Sequence, residues 1–202
     1  ERTSLRRAQI VDHSDNNKTR TPLSEALKRS KNSNSLRMLF VTTGGTIDKQ
    51  YPRATSGYAF EFGDESAVQR VLRVVSVHGA QIVAVCAKDS TELTDEDRIA
   101  VRNAIERTSA RRVVVTHGTD TIIETALFVN DAAIKVGSVV VFVGAAKPEA
   151  FKDSDAHFNV GVAVGAARAL EKHGAYIAMN GNVIPVHRAR RNQQTGEFEA
   201  VH

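Results

Sequence analysis

The sequence has a single cysteine, few aromatic residues and no long apolar run. Because Cys86 stands alone, the 202-residue chain has neither a disulfide framework nor a cysteine ligand set for zinc. No apolar stretch approaches the roughly 20 residues that a membrane helix needs, so we expect no membrane-spanning helix. The seven histidines show no metal-ligand spacing, and we expect no metal or other cofactor. Hydrophobic residues make up 42% of the chain, which suits one globular domain with a core.

Excess positive charge is absent from most of the chain. Residues 1–37 carry nine Lys and Arg against four Asp and Glu, whereas residues 38–202 carry eighteen against nineteen. The N-terminal segment is polar, rich in Ser, Asn and Arg, and poor in aromatics, a composition that does not offset the entropy lost on ordering. We therefore expect residues 1–37 to be disordered. Nucleic-acid contact through Lys and Arg, or an organelle transit peptide, are the less favoured alternatives.

The single free cysteine also bears on the compartment. Unpaired thiols are typical of a reducing environment, and we expect a cytoplasmic protein. The chain begins with Glu1 rather than methionine, so we base this expectation on the cysteine and not on a targeting segment.

Strand-like and helix-like stretches alternate from Leu36 onward. Five apolar runs have the composition of buried parallel strands: LRMLFVTT, QIVAVCA, RRVVVTH, SVVVFVGA and AYIAM. Stretches with helix start or stop signals lie between them, at residues 64–79, 94–110, 119–137 and 154–174. This order predicts an α/β fold, a Rossmann-like three-layer α/β/α sandwich with a mainly parallel sheet. We assign it to residues 38–192 and treat residues 193–202 as a C-terminal tail.

Polar motifs follow the predicted strands. TGGTID, KDST, HGTDT and GAAKP come after the first four apolar runs in turn. Ligands of open parallel sheets bind beyond the carboxyl ends of the strands, where these motifs would meet. The long connection over residues 48–63 lacks a clear period, and long loops in compact domains are often functional lids. The sequence therefore predicts a binding site at this edge of the sheet.

The first motif allows three interpretations. Gly44 and Gly45 could form only a turn, since glycine permits backbone angles that other residues avoid. A phosphate loop would need a helix directly after the glycines, or the G-x-x-x-x-G-K-[ST] spacing, and neither is present. Asp48 would also repel a phosphate. A loop that aims the Thr46 hydroxyl at a substrate agrees better with the sequence.

The other two motifs also have structural alternatives. In HGTDT, Thr119 or Asp120 could simply cap the helix that follows, although capping needs one such residue rather than the whole cluster. Asp89, Ser90 and Thr91 could be ordinary turn residues.

Taken together, these motifs resemble those of the bacterial-type L-asparaginase family. The TGGTI turn, a tyrosine in the following connection, the D-S-T turn and the later HGTDT occur in the family's order, over roughly residues 38–192. The resemblance implies that Thr46 is the nucleophile that attacks a side-chain amide and that Tyr58 helps to activate it. It also implies that Thr119 and Asp120 complete the catalytic group, with Asp120 facing the substrate's α-ammonium.

Further contacts are implied for the substrate. Ser90 and Thr91 resemble the turn that holds the α-carboxylate and α-ammonium, and Asp89 belongs to the same turn. Backbone N–H groups of the loops at Gly45 and Gly118 are candidates for holding the developing oxyanion. The implied activity is the hydrolysis of L-asparagine to L-aspartate and ammonia through a covalent acyl-enzyme, without a cofactor.

Two departures from the family pattern leave alternatives open. Members usually have a lysine on the helix after the fourth strand, near the Thr–Asp pair, and the corresponding position here is Leu170. The candidate replacement cations are Arg168, Lys172, Lys147, Lys152, Arg190 and Arg191. Larger members also have a C-terminal domain that completes a neighbouring subunit's site, so this chain resembles a short single-domain form. We expect a homo-oligomer, because a lone domain would leave the site open.

The alternatives to an asparaginase are a catalytically weak protein that binds asparagine or aspartate, and a glutaminase-type or tRNA-linked amide hydrolase of the same family. The missing lysine favours the first. The second stays open because one methylene in a pocket is worth only about 1–3 kcal/mol.

Overall fold

The apolar runs form the centre of a single large sheet. The computed structural model describes residues 9–12, 21–22, 37–52, 59–75, 77 and 79–201. Its strands are β1 (Gln9–Asp12), β2 (Thr21–Pro22), β3 (Met38–Gly44), β4 (Lys49–Gln50), β5 (Glu61–Phe62), β6 (Ala80–Lys88), β7 (Arg112–Thr116), β8 (Val139–Val143), β9 (Gly174–Met179), β10 (Asn182–Pro185), β11 (Ala189–Arg191) and β12 (Phe198–Ala200). Its α-helices are α1 (Ala67–Val74), α2 (Asp95–Arg107), α3 (Ile122–Val136) and α4 (Ala156–Ala169).

The strand order of the large sheet is β10-β9-β8-β7-β3-β6-β1-β2. The five strands from β9 to β6 in this order are parallel, whereas β10 and β1 pair antiparallel with their neighbours at the two sides. The chain passes from β3 to β6 on one side and then crosses to β7 on the other side of β3. The connections therefore leave β3 and β7 in opposite directions, and this divergence is where open α/β sheets bind ligands. The predicted fold class is confirmed.

Helices cover both faces of the sheet. One core cluster joins α2 and α3 to one face and is centred on buried valines of the parallel strands. The other joins α1 and α4 to the opposite face. Local signals fix the helix ends: Thr94 and Asp97 form a reciprocal capping box at the start of α2, and Gly137 ends α3 with a φ of 67°.

Short strands lie near both ends of the chain. Within residues 1–37, where we expect disorder, β1 pairs with β6 and β2 pairs with β1, and most of that segment lies outside the described residues. The expected C-terminal tail, residues 193–202, contains β12, which pairs with β11. Phe198 of β12 is only 1% exposed and belongs to the core on the α2 and α3 side.

The irregular connection between β3 and α1 has ordered ends. β4 and β5 pair with each other, and the exposed rings of Tyr51 and Phe60 both contact Phe151 in the loop after β8. Tyr58 and the rest of residues 53–58 lie outside the described residues. No helix in the described part of the chain is both long and apolar enough to cross a membrane.

Candidate active site

The loops after β3, β6 and β7 touch one another, as the sequence predicts. Gly44 and Gly45 turn the chain with φ angles of 99° and 80°, which only glycine adopts readily. A Cβ atom on Gly45 would overlap the backbone of Gly118, so these two loops meet main chain to main chain. A Cβ atom on Gly118 would in turn lie 2.8 Å from Ser90 Oγ. We call residues 44–48, 89–91 and 117–121 the three-loop site.

Thr46 and Thr119 each follow one of the two touching glycines. Both are half-buried, and Thr46 begins a single 3-10 turn, Thr46–Asp48. Thr119 presents its methyl group to Gly144, where an added Cβ would lie 3.1 Å from Thr119 Cγ2. Among the described residues, neither threonine hydroxyl has a hydrogen-bond partner. Within the described ranges these two hydroxyls are therefore unengaged, and both follow the glycines of one backbone contact.

The turn after Gly45 agrees with the hydroxyl interpretation rather than with a phosphate loop. It is three residues long, and no α-helix follows it directly. The Asp48 side chain turns away from the other two loops and is buried, with Oδ1 accepting a hydrogen bond from the Ala67 amide at 2.6 Å. Burial raises the pKa of Asp48 from 3.8 to about 6, while the Ala67 amide acts in the opposite direction.

The polar cluster after β7 does not serve as a helix cap. The residue at the N-cap of α3 is Thr121, and it makes no side-chain capping bond. Its hydroxyl instead donates to the Ser90 carbonyl at 2.7 Å. The capping alternative for Thr119 and Asp120 is therefore wrong, and Thr121 links two loops of the three-loop site.

Asp120 is paired with Arg191. Arg191 Nη1 lies 2.5 Å from Asp120 Oδ1, with the two side chains 29% and 60% exposed. The guanidinium also lies over the ring of Phe198, 6.0 Å from its centroid, so the β11–β12 hairpin holds it in place. The helix after β8 does not supply this cation, because Leu170 is apolar and half-buried. Of the candidate cations, Arg191 is the one that contacts Asp120.

The loop after β6 is fixed by charge and by burial. Asp89 Oδ1 pairs with Lys49 Nζ at 2.7 Å, which ties this loop to the first residue of β4. Ser90 is buried and begins a second 3-10 turn, whereas Thr91 is exposed. Lys49 directly follows the first motif, but a single lysine there gives no sequence signal of its pairing with Asp89.

One candidate oxyanion donor is already engaged. The Gly45 N–H donates to the Lys88 carbonyl at 2.8 Å, so this amide is not free to hold an oxyanion. The expectation for Gly45 is therefore wrong in this respect, although its backbone still forms part of the site. Among the described residues, no group of three or more His, Cys, Asp or Glu side chains could hold a metal ion.

His117 is a buried, neutral support for the loop after β7. Its Nδ1 lies 2.8 Å from the Gly118 carbonyl, and because a carbonyl only accepts, Nδ1 carries the proton. Nε2, 2.9 Å from Thr125 Oγ1, then accepts from that hydroxyl. Burial lowers the pKa of His117 from 6.5 to about 4.

The stabilisation that depends on neutral His117 should be lost at acid pH. Between pH 6.5 and 4 the unfolded chain binds a proton at this histidine and the folded chain does not, so acidification favours unfolding. Asp48 acts in the opposite sense between pH 6 and 3.8, so the test is a difference between variants. We expect the free energy of unfolding of wild type minus that of His117→Asn to fall by about 3 kcal/mol from pH 7 to 4.

Denaturant unfolding across this pH range measures the difference. His187→Asn, which makes the same change at an exposed histidine, is the matched control. A pH-independent difference for His117→Asn would contradict the buried neutral imidazole.

The chain is similar in sequence and in fold to known proteins. Residues 37–201 match the family described as Asparaginase, N-terminal. The chain is 32% identical over 154 residues to the probable periplasmic L-asparaginase of Haemophilus influenzae, covering 71% of this chain and 43% of that protein. It is 27% identical over 158 residues to the glutaminase-asparaginase of Acinetobacter glutaminasificans, covering 72% and 46%.

A solved structure shows the same likeness in three dimensions. The probable cytoplasmic L-asparaginase from Campylobacter jejuni matches with a TM-score of 0.66 and 25% identity, over 81% of this chain and 52% of that one. The chain thus spans about half the length of these relatives. With residues 37–201 matched and the three motif loops in contact, the chain belongs to the asparaginase family.

Proposed function

We propose that this chain is an amidohydrolase that converts L-asparagine to L-aspartate and ammonia, with Thr46 as the nucleophile. The observation that carries the proposal is the backbone contact of Gly45 with Gly118, which brings the Thr46 and Thr119 loops together. The family match and the names of the relatives support the reaction class.

In the proposed reaction, side chains and backbone amides of the three-loop site act together with Tyr58. The Thr46 oxygen attacks the side-chain amide carbon while its proton passes to a neighbouring base, because a free hydroxyl is a weak nucleophile. Tyr58 remains the proposed base. The amides of Thr46, Gly118 and Thr119 are the proposed oxyanion donors, since Gly45 is engaged elsewhere. The amide nitrogen leaves as ammonia, and water then cleaves the threonyl ester to give aspartate and free Thr46.

Charge at the site suits an amino-acid substrate. Asp120 is proposed to accept the substrate's α-ammonium, and Arg191 holds this carboxylate in place through a charge-assisted hydrogen bond. Ser90 and Thr91 are proposed to hold the α-carboxylate. Because Arg191 pairs with Asp120 although the family lysine is missing, we favour the enzyme over the alternative of a catalytically weak binding protein.

Glutamine is the second candidate substrate, because one relative is a glutaminase-asparaginase. We expect ammonia release from both amides, with kcat/KM for asparagine higher by about 10- to 200-fold, the usual discrimination of one methylene. A coupled ammonia assay with each amide, together with quantification of aspartate, measures this. Absence of ammonia from both amides would remove the proposed function, and a preference for glutamine would reassign the substrate.

A homo-oligomer and a cytoplasmic location belong to the same proposal. Exposed apolar side chains on α3 support self-association: Leu127, Phe128 and Ile134. The single cysteine supports the location, while the named relatives include both periplasmic and cytoplasmic proteins. Full activity of a monomer at high dilution would contradict the oligomer.

A further inference from the structure

Asp48 is a buried carboxyl group that the reaction scheme does not use. It is 6% exposed and lies two residues after the proposed nucleophile, in the same 3-10 turn. Its side chain accepts from the Ala67 amide at 2.6 Å, and its carbonyl accepts from the Gly63 amide at 3.5 Å. Both ends of the connection between β3 and α1 therefore meet at this one residue.

The same turn is held from a second side by Glu149. The Glu149 amide donates to the Ile47 carbonyl at 3.1 Å, and its carboxylate pairs with Arg70 of α1. His157 of α4 lies 3.3 Å from the other carboxylate oxygen. Asp48 lies in this turn, and Glu149 is bonded to the neighbouring Ile47. Both residues also contact α1, Asp48 through the Ala67 amide and Glu149 through Arg70.

Burial disfavours the ionised form of the Asp48 carboxyl, whereas most of the groups that face it favour that form. The Ala67 amide and the Gly44 amide both point donors at the carboxylate, and the Arg70 guanidinium adds positive charge. Glu149 opposes ionisation, and among the described residues the Cys86 thiol of β6 is a further titratable neighbour. A carboxylate only accepts, so it can satisfy donors on both sides, whereas a protonated carboxyl adds a donor among donors.

We propose that Asp48 is a positioning residue whose carboxylate binds the Thr46 turn to the first residue of α1 and thereby fixes the Thr46 hydroxyl. The proposal rests on the proposed function, because the reaction needs Thr46 as its nucleophile. Displacing a nucleophile by about 1 Å can reduce a rate by about a hundredfold, so an anchor behind the turn matters for kcat. Substrate binding by Ser90 and Thr91 does not involve this anchor. Burial, which raises the pKa of Asp48 to about 6, places the loss of the carboxylate just below neutral pH.

The kinetic test compares Asp48→Asn with wild type from pH 5 to 8. The matched control is Asp153→Asn, the same change at an exposed carboxylate that pairs with Lys147. At pH 7.5 we expect Asp48→Asn to lower kcat about tenfold and to change KM less than about twofold. Wild type and Asp153→Asn should lose kcat below a midpoint near pH 6, and this acid limb should be absent in Asp48→Asn.

Amide hydrogen exchange supplies a readout that does not need activity. After correction for intrinsic rates, peptides covering residues 44–49 should exchange faster at pH 5 than at pH 7.5 in wild type, and equally fast at both in Asp48→Asn. An unchanged acid limb and unchanged exchange in Asp48→Asn would overturn the proposal. If wild type releases no ammonia from any amide, the proposed function fails. The exchange experiment alone then decides whether Asp48 anchors the turn.

Discussion

Replacing Thr46 with alanine should abolish ammonia release, with kcat lowered at least about 10⁴-fold. The change removes the oxygen of the proposed nucleophile, and loss of a nucleophile is among the most damaging single changes in an enzyme. Thr119→Ala should also reduce kcat sharply, because Thr119 is proposed as the second catalytic threonine and its loop contacts the Thr46 loop through Gly45 and Gly118. Initial rates of ammonia release from asparagine measure both effects.

Two controls separate chemistry from folding. Thr46→Ser keeps the hydroxyl and should retain a measurable rate, while Thr195→Ala, in an exposed turn, should match wild type. Aspartate binding by calorimetry should persist in Thr46→Ala, because Ser90 and Thr91 are unchanged. Near-normal ammonia release by Thr46→Ala would show that another group is the nucleophile.

Arg191→Ala should lower kcat/KM by about 10- to 100-fold. A hydrogen bond to a charged partner is worth about 1.5–3 kcal/mol, and the exposure of Asp120 moves the expectation toward the lower end. The variant removes the cation that pairs with Asp120 and holds it toward the β11–β12 hairpin. Steady-state kinetics with asparagine from pH 6 to 9 measure the loss.

The neighbouring arginine provides a close control. Arg190 pairs with Glu199, 2.7 Å away and outside the three-loop site, so Arg190→Ala should stay within about twofold of wild type. Arg191→Lys should be more active than Arg191→Ala and less active than wild type, because an ammonium restores the charge but lacks the planar set of N–H donors of a guanidinium. Equal effects of Arg190→Ala and Arg191→Ala would mean that general charge, rather than the pair with Asp120, is responsible.

The central sheet and the helices could be predicted because each carries a continuous local signal. The apolar runs that begin at Leu36 and Arg111 match β3 and β7 within two residues at either end. The capping box of Thr94 and Asp97 explains why α2 begins where the sequence indicates. The short strands β10, β11 and β12 lacked such a signal, since three or four polar and apolar residues have no readable period.

The meeting of the three loops was predictable from topology, but side-chain directions within them were not. Strand order brings Gly45 and Gly118 together wherever β3 and β7 are neighbours. Whether Asp48 faces a ligand or the protein interior depends on where α1 begins, which the first motif does not encode. Arg191 was one of six candidate cations, because its contact with Asp120 requires a hairpin formed far along the chain.

The adjacency of β3 and β7 also affects how the protein folds to its active structure. All of β6, α1 and α2 lie between these two strands in the chain, and the chain must pass over both faces of the sheet before they can pair. Contacts between distant segments form slowly, since a large loop must close first. Refolding intermediates that hold only hairpins and isolated helices therefore lack the three-loop site. We expect activity to return only after β3 and β7 have paired.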